Sequence, residues 1–153
     1  MSSRPSARLR RQVAARAGNC CEYCLAHQDV GASTHQIDHV IAEKHGGLTA
    51  SHNLALSCTS CNRRKGSDIS SVDPLTGITV PLFNPRTQRW ADHFQLDGVS
   101  IIGRSPEGRA TISLLELNSY ERTVERYEWM AGGAYPPHPH RDGPESLRSR
   151  LRR

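Results

Sequence analysis

The residues of this sequence best suited to chemistry are two Cys-x-x-Cys pairs. Cys21 and Cys24 form the first pair, and Cys58 and Cys61 form the second. A tight turn places both thiolates of such a pair on one side, and two pairs supply the corners of a tetrahedral site for which zinc is the preferred metal. Four thiolates leave no open position for a substrate, so we expect this zinc to stabilise the fold and not to catalyse.

The cysteine count favours a metal site over a disulfide framework. The chain has five cysteines, and an odd number in a chain without an apolar secretory signal is typical of metal-binding or catalytic thiols. The alternatives are buried core cysteines or a redox pair, but a thioredoxin-like motif needs only one such pair within a βαβ pattern. Cys20 is left over, and we expect it to be a packed thiol.

A group of polar residues and glycines lies between the cysteine pairs and directly after them. In chain order it consists of Asp38-His39, Gly46-Gly47, Asn53 and Asn62. Each member alone is a weak signal, because single histidines and asparagines usually serve packing or solvation. Together and in this order, from Cys21 to Gly66, they resemble the HNH nuclease family in its version with a four-cysteine zinc site. Segments at residues 90–94 and 102–111 resemble a C-terminal extension of some bacterial standalone members.

The resemblance implies a role for each of these polar residues. His39 is the expected general base, since histidine exchanges protons near neutral pH. Asp38 and Asn62 are the expected oxygen ligands of one catalytic divalent cation, Mg²⁺ or Mn²⁺. The family often has histidine where this chain has Asn62, which leaves the preferred metal open. Asn53 is expected to tie the intervening loop and to hold His39 in its rotamer.

Basic residues follow the last of these positions. Arg63, Arg64 and Lys65 are predicted to bind the phosphates that flank the scissile bond, with a solvated helix face as the alternative. The formal net charge of the chain is +5, which suits a polyanionic partner, although solubility alone also explains such a charge. No run of 18 apolar residues occurs, so we expect no membrane span and a cytoplasmic protein.

These residues need secondary structure that brings them together. Apolar periodicity predicts a helix over residues 4–17 with Leu9, Val13 and Ala17 on one face. Short strands are expected at residues 34–41 and 53–57, followed by a helix from Cys58 to about Gly66. The expected fold class is therefore α+β, a small zinc-stapled ββα core at residues 19–69 with flanking helices.

The rest of the chain is expected to extend this core. Residues 70–130 complete a single domain at residues 1–130, with Trp90 and Phe94 packed against the main body and a strand at residues 99–102. Ser105 and Ser119 have the sequence context of N-caps for two helices, of which the second carries Tyr120, Val124, Tyr127 and Met130 on one face. Residues 131–153, rich in glycine, proline and arginine, are predicted to form a mobile basic tail.

The predicted function is metal-dependent hydrolysis of phosphodiester bonds in DNA, with one catalytic cation besides the structural zinc. Two alternatives stay open: a non-catalytic zinc module that binds nucleic acid, and an RNase with the same site. A pure binding module needs no combination of Asp38, His39 and Asn62, so that combination favours an enzyme. Because the sequence shows no separate reader domain, three alternatives stay open: the protein forms a homodimer, uses a partner protein for specificity, or cuts with little specificity.

Overall fold

The helices and strands are short and lie close to where the sequence patterns predict them. The computed structural model describes residues 3–137. The helices are α1 (Ala7–Arg16), α2 (Thr59–Lys65), α3 (Trp90–His93), α4 (Pro106–Leu115) and α5 (Tyr120–Ala131). The strands are β1 (Gln36–His39), β2 (Leu54–Ser57), β3 (Ser70–Val72), β4 (Thr79–Pro81), β5 (Phe94–Asp97) and β6 (Ser100–Gly103). This mixture of helices and small sheets confirms the α+β class.

Each strand pairs with one strand that is its neighbour along the chain. The pairs β1–β2, β3–β4 and β5–β6 are all antiparallel and form three two-stranded sheets. In the first sheet, His39 lies opposite Leu54 and Asp38 opposite Ala55. Helix α2 begins directly after β2, so residues 36–65 form the predicted ββα unit.

Side-chain caps begin the longer helices, as the sequence predicts for two of them. The hydroxyls of Ser6, Ser105 and Ser119 accept hydrogen bonds from backbone N–H groups in the first turns of α1, α4 and α5. Such caps satisfy amide groups that have no partner inside the helix. Cys58 takes the same position at α2, where its sulfur accepts from the Cys61 amide, so a predicted metal ligand also starts the helix.

The hydrophobic core has two parts. In the smaller part, Val13 of α1 and Ala17 directly after this helix pack against Leu54 and Leu56 of β2, with Leu9 partly buried beside them. This packing confirms the predicted stripe. The larger part surrounds the cysteine pairs and includes aromatic and aliphatic side chains from the C-terminal half: Phe83, Trp90, Phe94, Ile101, Leu115, Leu117 and Tyr135. The expected packing of Trp90 and Phe94 is therefore confirmed.

Helix α5 packs through a face that apolar periodicity does not reveal. Tyr120 is 83% exposed and Tyr127 is 66% exposed, so most of the predicted face points to solvent, although Met130 at its end is partly buried against the larger core. The buried side chains are Arg122 and Arg126, which donate hydrogen bonds to backbone carbonyl oxygens of neighbouring segments. Buried carbonyl groups need donors, and an apolar helix face could not supply them.

The packed chain also extends past residue 130, where the predicted tail begins. Tyr135 is buried, and its hydroxyl donates to the Cys24 carbonyl oxygen at 2.8 Å. Its ring lies 6.2 Å from that of Trp129. The aromatic side chain thus holds the segment to the core despite the glycines before it. Residues 138–153 of the predicted tail lie outside the described residues. Within residues 3–137, no helix is long and apolar enough to cross a membrane.

Candidate active site and zinc centre

The four predicted zinc ligands meet in one cluster. The sulfur atoms of Cys21, Cys24, Cys58 and Cys61 all lie within 4.8 Å of one another, and those of Cys24 and Cys58 are 3.8 Å apart. With Zn–S bonds of about 2.3 Å, a tetrahedral site has sulfur–sulfur edges of about 3.8 Å. The cluster therefore fits a structural zinc ion.

Two turns build this cluster from opposite sides. In the first turn, the Cys21 amide donates to the Ala26 carbonyl and the Leu25 amide to the Cys21 carbonyl, each at 2.9 Å. Leu25 takes a left-handed conformation with φ 68° to close that turn. In the second turn, Cys58 and Cys61 lie at the start of α2. The main chain thus holds the thiols near one another.

Hydrogen bonds from neighbouring cysteines lower the pKa of Cys24 and Cys58, but burial dominates the pKa of the other two thiols. Burial raises the pKa of the Cys21 and Cys61 thiols well above their usual range, because a charged sulfur loses its water there. A bound zinc ion removes this penalty by accepting the sulfur electron pairs.

One basic side chain near the cluster was not singled out by the sequence reasoning. Arg122 of α5 donates to the sulfur of Cys61 at 3.1 Å and lies 3.7 Å from that of Cys58. Burial by itself would lower the pKa of Arg122, but the sulfur groups of Cys61 and Cys24 outweigh that effect and raise it. No local sequence signal marks this contact, since 61 residues separate Arg122 from Cys61.

A cavity of about 290 Å³ lies beside α2, and Asp38, His39 and Asn62 all line it. Strand β1 ends with Asp38 and His39, while Asn62 lies on α2, which packs against β1. The structure thus brings together the three residues that the family resemblance implied for catalysis. Glu43, which the sequence reasoning did not single out, lines the same cavity.

His39 has polar partners that come from the loop after β1. Its Nε2 atom lies 2.8 Å from the Thr49 hydroxyl and 3.9 Å from Glu43 Oε1. The Thr49 hydroxyl in turn donates to Glu43 at 3.1 Å. Hydrogen bonds from Ser3 lower the pKa of Glu43 to about 2, so this carboxylate is charged at neutral pH. The spacing of four residues between His39 and Glu43 was the one sequence signal for their proximity.

Asp38 is buried, and two side chains contact its carboxylate. The Tyr23 hydroxyl donates to its Oδ2 at 2.7 Å, and the Lys65 ammonium lies 3.2 Å from the same oxygen. Burial raises the pKa of Asp38, while Lys65 and Tyr23 offset part of that rise. The carboxylate therefore has a fixed orientation at the edge of the cavity.

The burial of Lys65 contradicts one prediction made from the sequence. Its side chain is 2% exposed, and its ammonium also donates to the His39 and Val40 carbonyl oxygens, each at 3.1 Å. A buried ammonium needs such partners, and Asp38 compensates its charge. The predicted contact of Lys65 with phosphate is therefore wrong. Of the other basic residues here, Arg64 pairs with Glu116 and Arg63 is exposed.

Asn53 ties the loop between β1 and β2. Its amide donates to the Ile41 and Leu48 carbonyl oxygens and accepts from the Ile41 amide, all at 2.9 Å. Gly47 passes so close that a Cβ atom there would lie 1.6 Å from the Ile41 carbonyl oxygen. Asn53 makes these bonds to loop backbone, and the hydrogen bond to the His39 ring comes from Thr49 within the same loop.

Asn62 presents its side chain at the rim of the cavity. Its amide nitrogen donates to Gln36 Oε1 at 2.5 Å, which directs one end of the amide toward β1. The amide oxygen can accept a hydrogen bond or bind a metal ion.

A known protein family matches the part of the chain that holds the candidate site. Residues 21–68 match the model of the HNH endonuclease family, a stretch that contains both cysteine pairs and the cavity residues. The Septu protein PtuB of Bacillus thuringiensis is 26% identical over 108 residues, which cover 69% of this chain and 39% of that protein. The chain thus spans about two fifths of the length of this curated relative. No solved structure matches the chain. The similarity to the HNH endonuclease family is thus shown for residues 21–68.

Proposed function

We propose that this protein is a metal-dependent nuclease that hydrolyses phosphodiester bonds in DNA. The observation that carries this proposal is the cavity in which Asp38, His39 and Asn62 meet beside a four-cysteine cluster. A zinc module that only binds nucleic acid has no need for a base, a buried carboxylate and an amide around one cavity. The family match at residues 21–68 supports nuclease chemistry.

The donors at the cavity suit a hard divalent cation, Mg²⁺ or Mn²⁺. The Asp38 carboxylate and the Asn62 amide are oxygen ligands of the type that these ions prefer, and both line the cavity. When bound, the cation would neutralise charge on the scissile phosphate and on the departing oxygen. The Lys65 ammonium lies 3.2 Å from Asp38 Oδ2 and 3.3 Å from Oδ1, so the cation would bind a carboxylate that already has a hydrogen-bond donor at each oxygen.

His39 acts as the general base of the proposed reaction. It takes a proton from a water molecule, whose oxygen forms a bond to phosphorus while the bond from phosphorus to the 3′ oxygen breaks. The 3′ oxygen leaves in line and becomes a hydroxyl by protonation from solvent, and the phosphate stays on the 5′ end. The Thr49 hydroxyl at Nε2 holds the ring in place, so its other nitrogen is the proposed proton acceptor.

The substrate is held by charge near the cavity. Arg63 is exposed on α2, next to Asn62, so we assign it to a phosphate beside the scissile bond. We assign Arg64 to the same role once its contact with Glu116 exchanges for phosphate. The proposed location is the cytoplasm, because a reducing compartment suits a zinc site made of thiolates. A second copy of the chain or a partner protein supplies the specificity of cleavage.

A cleavage assay tests the proposal. Zinc-loaded protein is incubated with supercoiled plasmid and Mg²⁺, Mn²⁺ or Ca²⁺, and variants His39→Ala and Asn62→Ala are compared with wild type. We expect cleavage with Mg²⁺ or Mn²⁺ and a rate at least about 100-fold lower for His39→Ala, the usual size of a general-base contribution. His52→Ala, an exposed histidine of the same loop region, is the matched control and should cleave normally.

Other outcomes decide between the remaining alternatives. Cleavage of RNA but not of plasmid would replace the proposed substrate with RNA. Binding of DNA without cleavage under every metal would leave a non-catalytic zinc module. Equal rates for wild type and His39→Ala would remove His39 from the mechanism.

A further inference from the structure

We propose that Arg122 is a functional part of the zinc centre, where it is the counter-ion of the four thiolates. All four ligands lie within the segment that matches the HNH family, whereas Arg122 lies on α5, far outside that segment. The C-terminal extension would thus complete a metal site that the family segment only begins. This inference concerns zinc binding and does not rest on the proposed nuclease activity.

The guanidinium of Arg122 is held in place by three contacts. One nitrogen donates to the Cys61 sulfur at 3.1 Å and lies 3.7 Å from the Cys58 sulfur. The other terminal nitrogen donates to the Leu115 carbonyl oxygen at 3.0 Å. The residue is only 8% exposed. A buried, oriented cation of this kind faces the thiolates directly and not through water.

The charge of the zinc centre explains why a cation belongs there. A divalent ion with four thiolates has a net charge of about −2, and Cys21 and Cys61 are fully buried. A buried charge is costly unless an opposite charge and hydrogen bonds compensate it. Arginine suits this position because it stays protonated and its planar fork reaches two acceptors at once.

Arg126 shows that burial alone does not define this role. It lies one turn further along α5 and is 2% exposed. Its guanidinium donates to the Val99 carbonyl oxygen at 2.7 Å, to the Leu117 carbonyl oxygen and to Asn118 Oδ1 at 3.0 Å. Its hydrogen bonds thus go to oxygen atoms, so it is a matched control on the same helix.

Other contacts bring the extension to the same place. The Trp90 indole donates to the Tyr23 carbonyl oxygen, and the Tyr135 hydroxyl donates to the Cys24 carbonyl oxygen, each at 2.8 Å. Both carbonyl groups belong to the first cysteine turn. The extension therefore closes around the zinc cluster from several directions, and Arg122 brings a charged group to the sulfur atoms.

Zinc affinity of the full chain tests the role of Arg122. Variants Arg122→Gln, Arg122→Lys, Arg126→Gln and Arg126→Lys are titrated with zinc in competition with a chromophoric chelator. We expect Arg122→Gln to raise the zinc Kd on the order of 10- to 100-fold, as loss of a hydrogen-bonding partner of a metal ligand does. Arg122→Lys, which keeps the charge but not the fork, should show a smaller rise, and Arg126→Gln should bind zinc like wild type.

A second readout follows the thiolates themselves. Co²⁺ replaces the zinc, and its thiolate charge-transfer band should shift in Arg122→Gln but not in Arg126→Gln. Equal zinc Kd values for Arg122→Gln and wild type, or equal losses of zinc affinity in Arg122→Gln and Arg126→Gln, would overturn the proposal. If the glutamine variants do not fold, the lysine pair decides. A higher zinc Kd in Arg122→Lys but not in Arg126→Lys supports the proposal, and equal zinc Kd values in the two lysine variants overturn it.

Discussion

Replacing Lys65 by methionine tests the buried ion pair under the candidate active site. The side chains of Lys65 and Asp38 are 2% and 4% exposed, and their charged atoms are 3.2 Å apart. Methionine keeps the apolar stem of lysine but removes its charge, which leaves the Asp38 carboxylate buried without its cation. Two carbonyl oxygens also lose a donor.

The expected loss follows from the depth of this pair. Breaking a buried ion pair by removing one partner costs about 3–5 kcal/mol. With a urea m-value of about 2 kcal/mol/M for a domain of this size, the unfolding midpoint should fall by about 2 M. The double variant Asp38→Asn/Lys65→Met removes the unpaired charge as well, so much of the loss should be recovered.

The loss should also depend on pH in a defined direction. Burial raises the pKa of Asp38, and loss of Lys65 removes a group that lowers it. A carboxyl with a raised pKa binds its proton more readily in the folded state, so the stability of Lys65→Met should increase as pH falls through that pKa. The penalty is therefore largest at neutral pH and smaller at mildly acidic pH.

Urea unfolding of zinc-saturated protein, followed by tryptophan fluorescence, measures these differences. Arg64→Met is the control, because Arg64 pairs with the half-exposed Glu116 and such surface pairs contribute at most about 1 kcal/mol. A Lys65→Met midpoint equal to that of Arg64→Met would refute the buried pair. So would a double variant that is less stable than Lys65→Met.

Two further predictions concern the loop that carries the partners of His39. Gly47→Ala should destabilise the protein by about 1–3 kcal/mol, because its Cβ atom would overlap the Ile41 carbonyl oxygen; an unchanged melting temperature contradicts this. Glu43→Ala should lower kcat about tenfold with little change in KM, since Glu43 accepts a hydrogen bond from Thr49 and one positioning hydrogen bond is worth about 1.4 kcal/mol. Steady-state kinetics with an oligonucleotide substrate measures this, and an unchanged kcat would exclude a positioning role for Glu43.

The zinc cluster and the candidate active site share one short helix. Cys58 and Cys61 anchor the start of α2, while Asn62 lines the cavity and Lys65 holds Asp38 from the last turn. A helix of seven residues is unstable alone, so its position depends on such anchors. The structural zinc would therefore also maintain the geometry of the active site.

Much of the site could be predicted because its signals are local in the chain. The spacing of each cysteine pair follows from one tight turn, and alternation along β1 places Asp38 and His39 on opposite faces of the strand. The order of the cysteine pairs and of the polar residues between them indicates the ββα unit around zinc. The family match covers the same stretch of the chain. Hydroxyl caps at Ser105 and Ser119 likewise depend on neighbouring residues alone.

Tertiary structure decided which charged side chains are buried. Lys65 follows two exposed or half-exposed arginines. Its own side chain is buried because Asp38 and the carbonyl group at the end of β1 lie within reach of its ammonium. Arg122 and Arg126 reverse the packing face of α5, because distant thiols and carbonyl groups need donors there. Tyr135 likewise extends the packed chain by reaching the Cys24 carbonyl. The sequence by itself determined the local geometry of the metal ligands and of the candidate catalytic residues, whereas compensation of buried charge depends on partners far apart in the chain and only the fold brings them together.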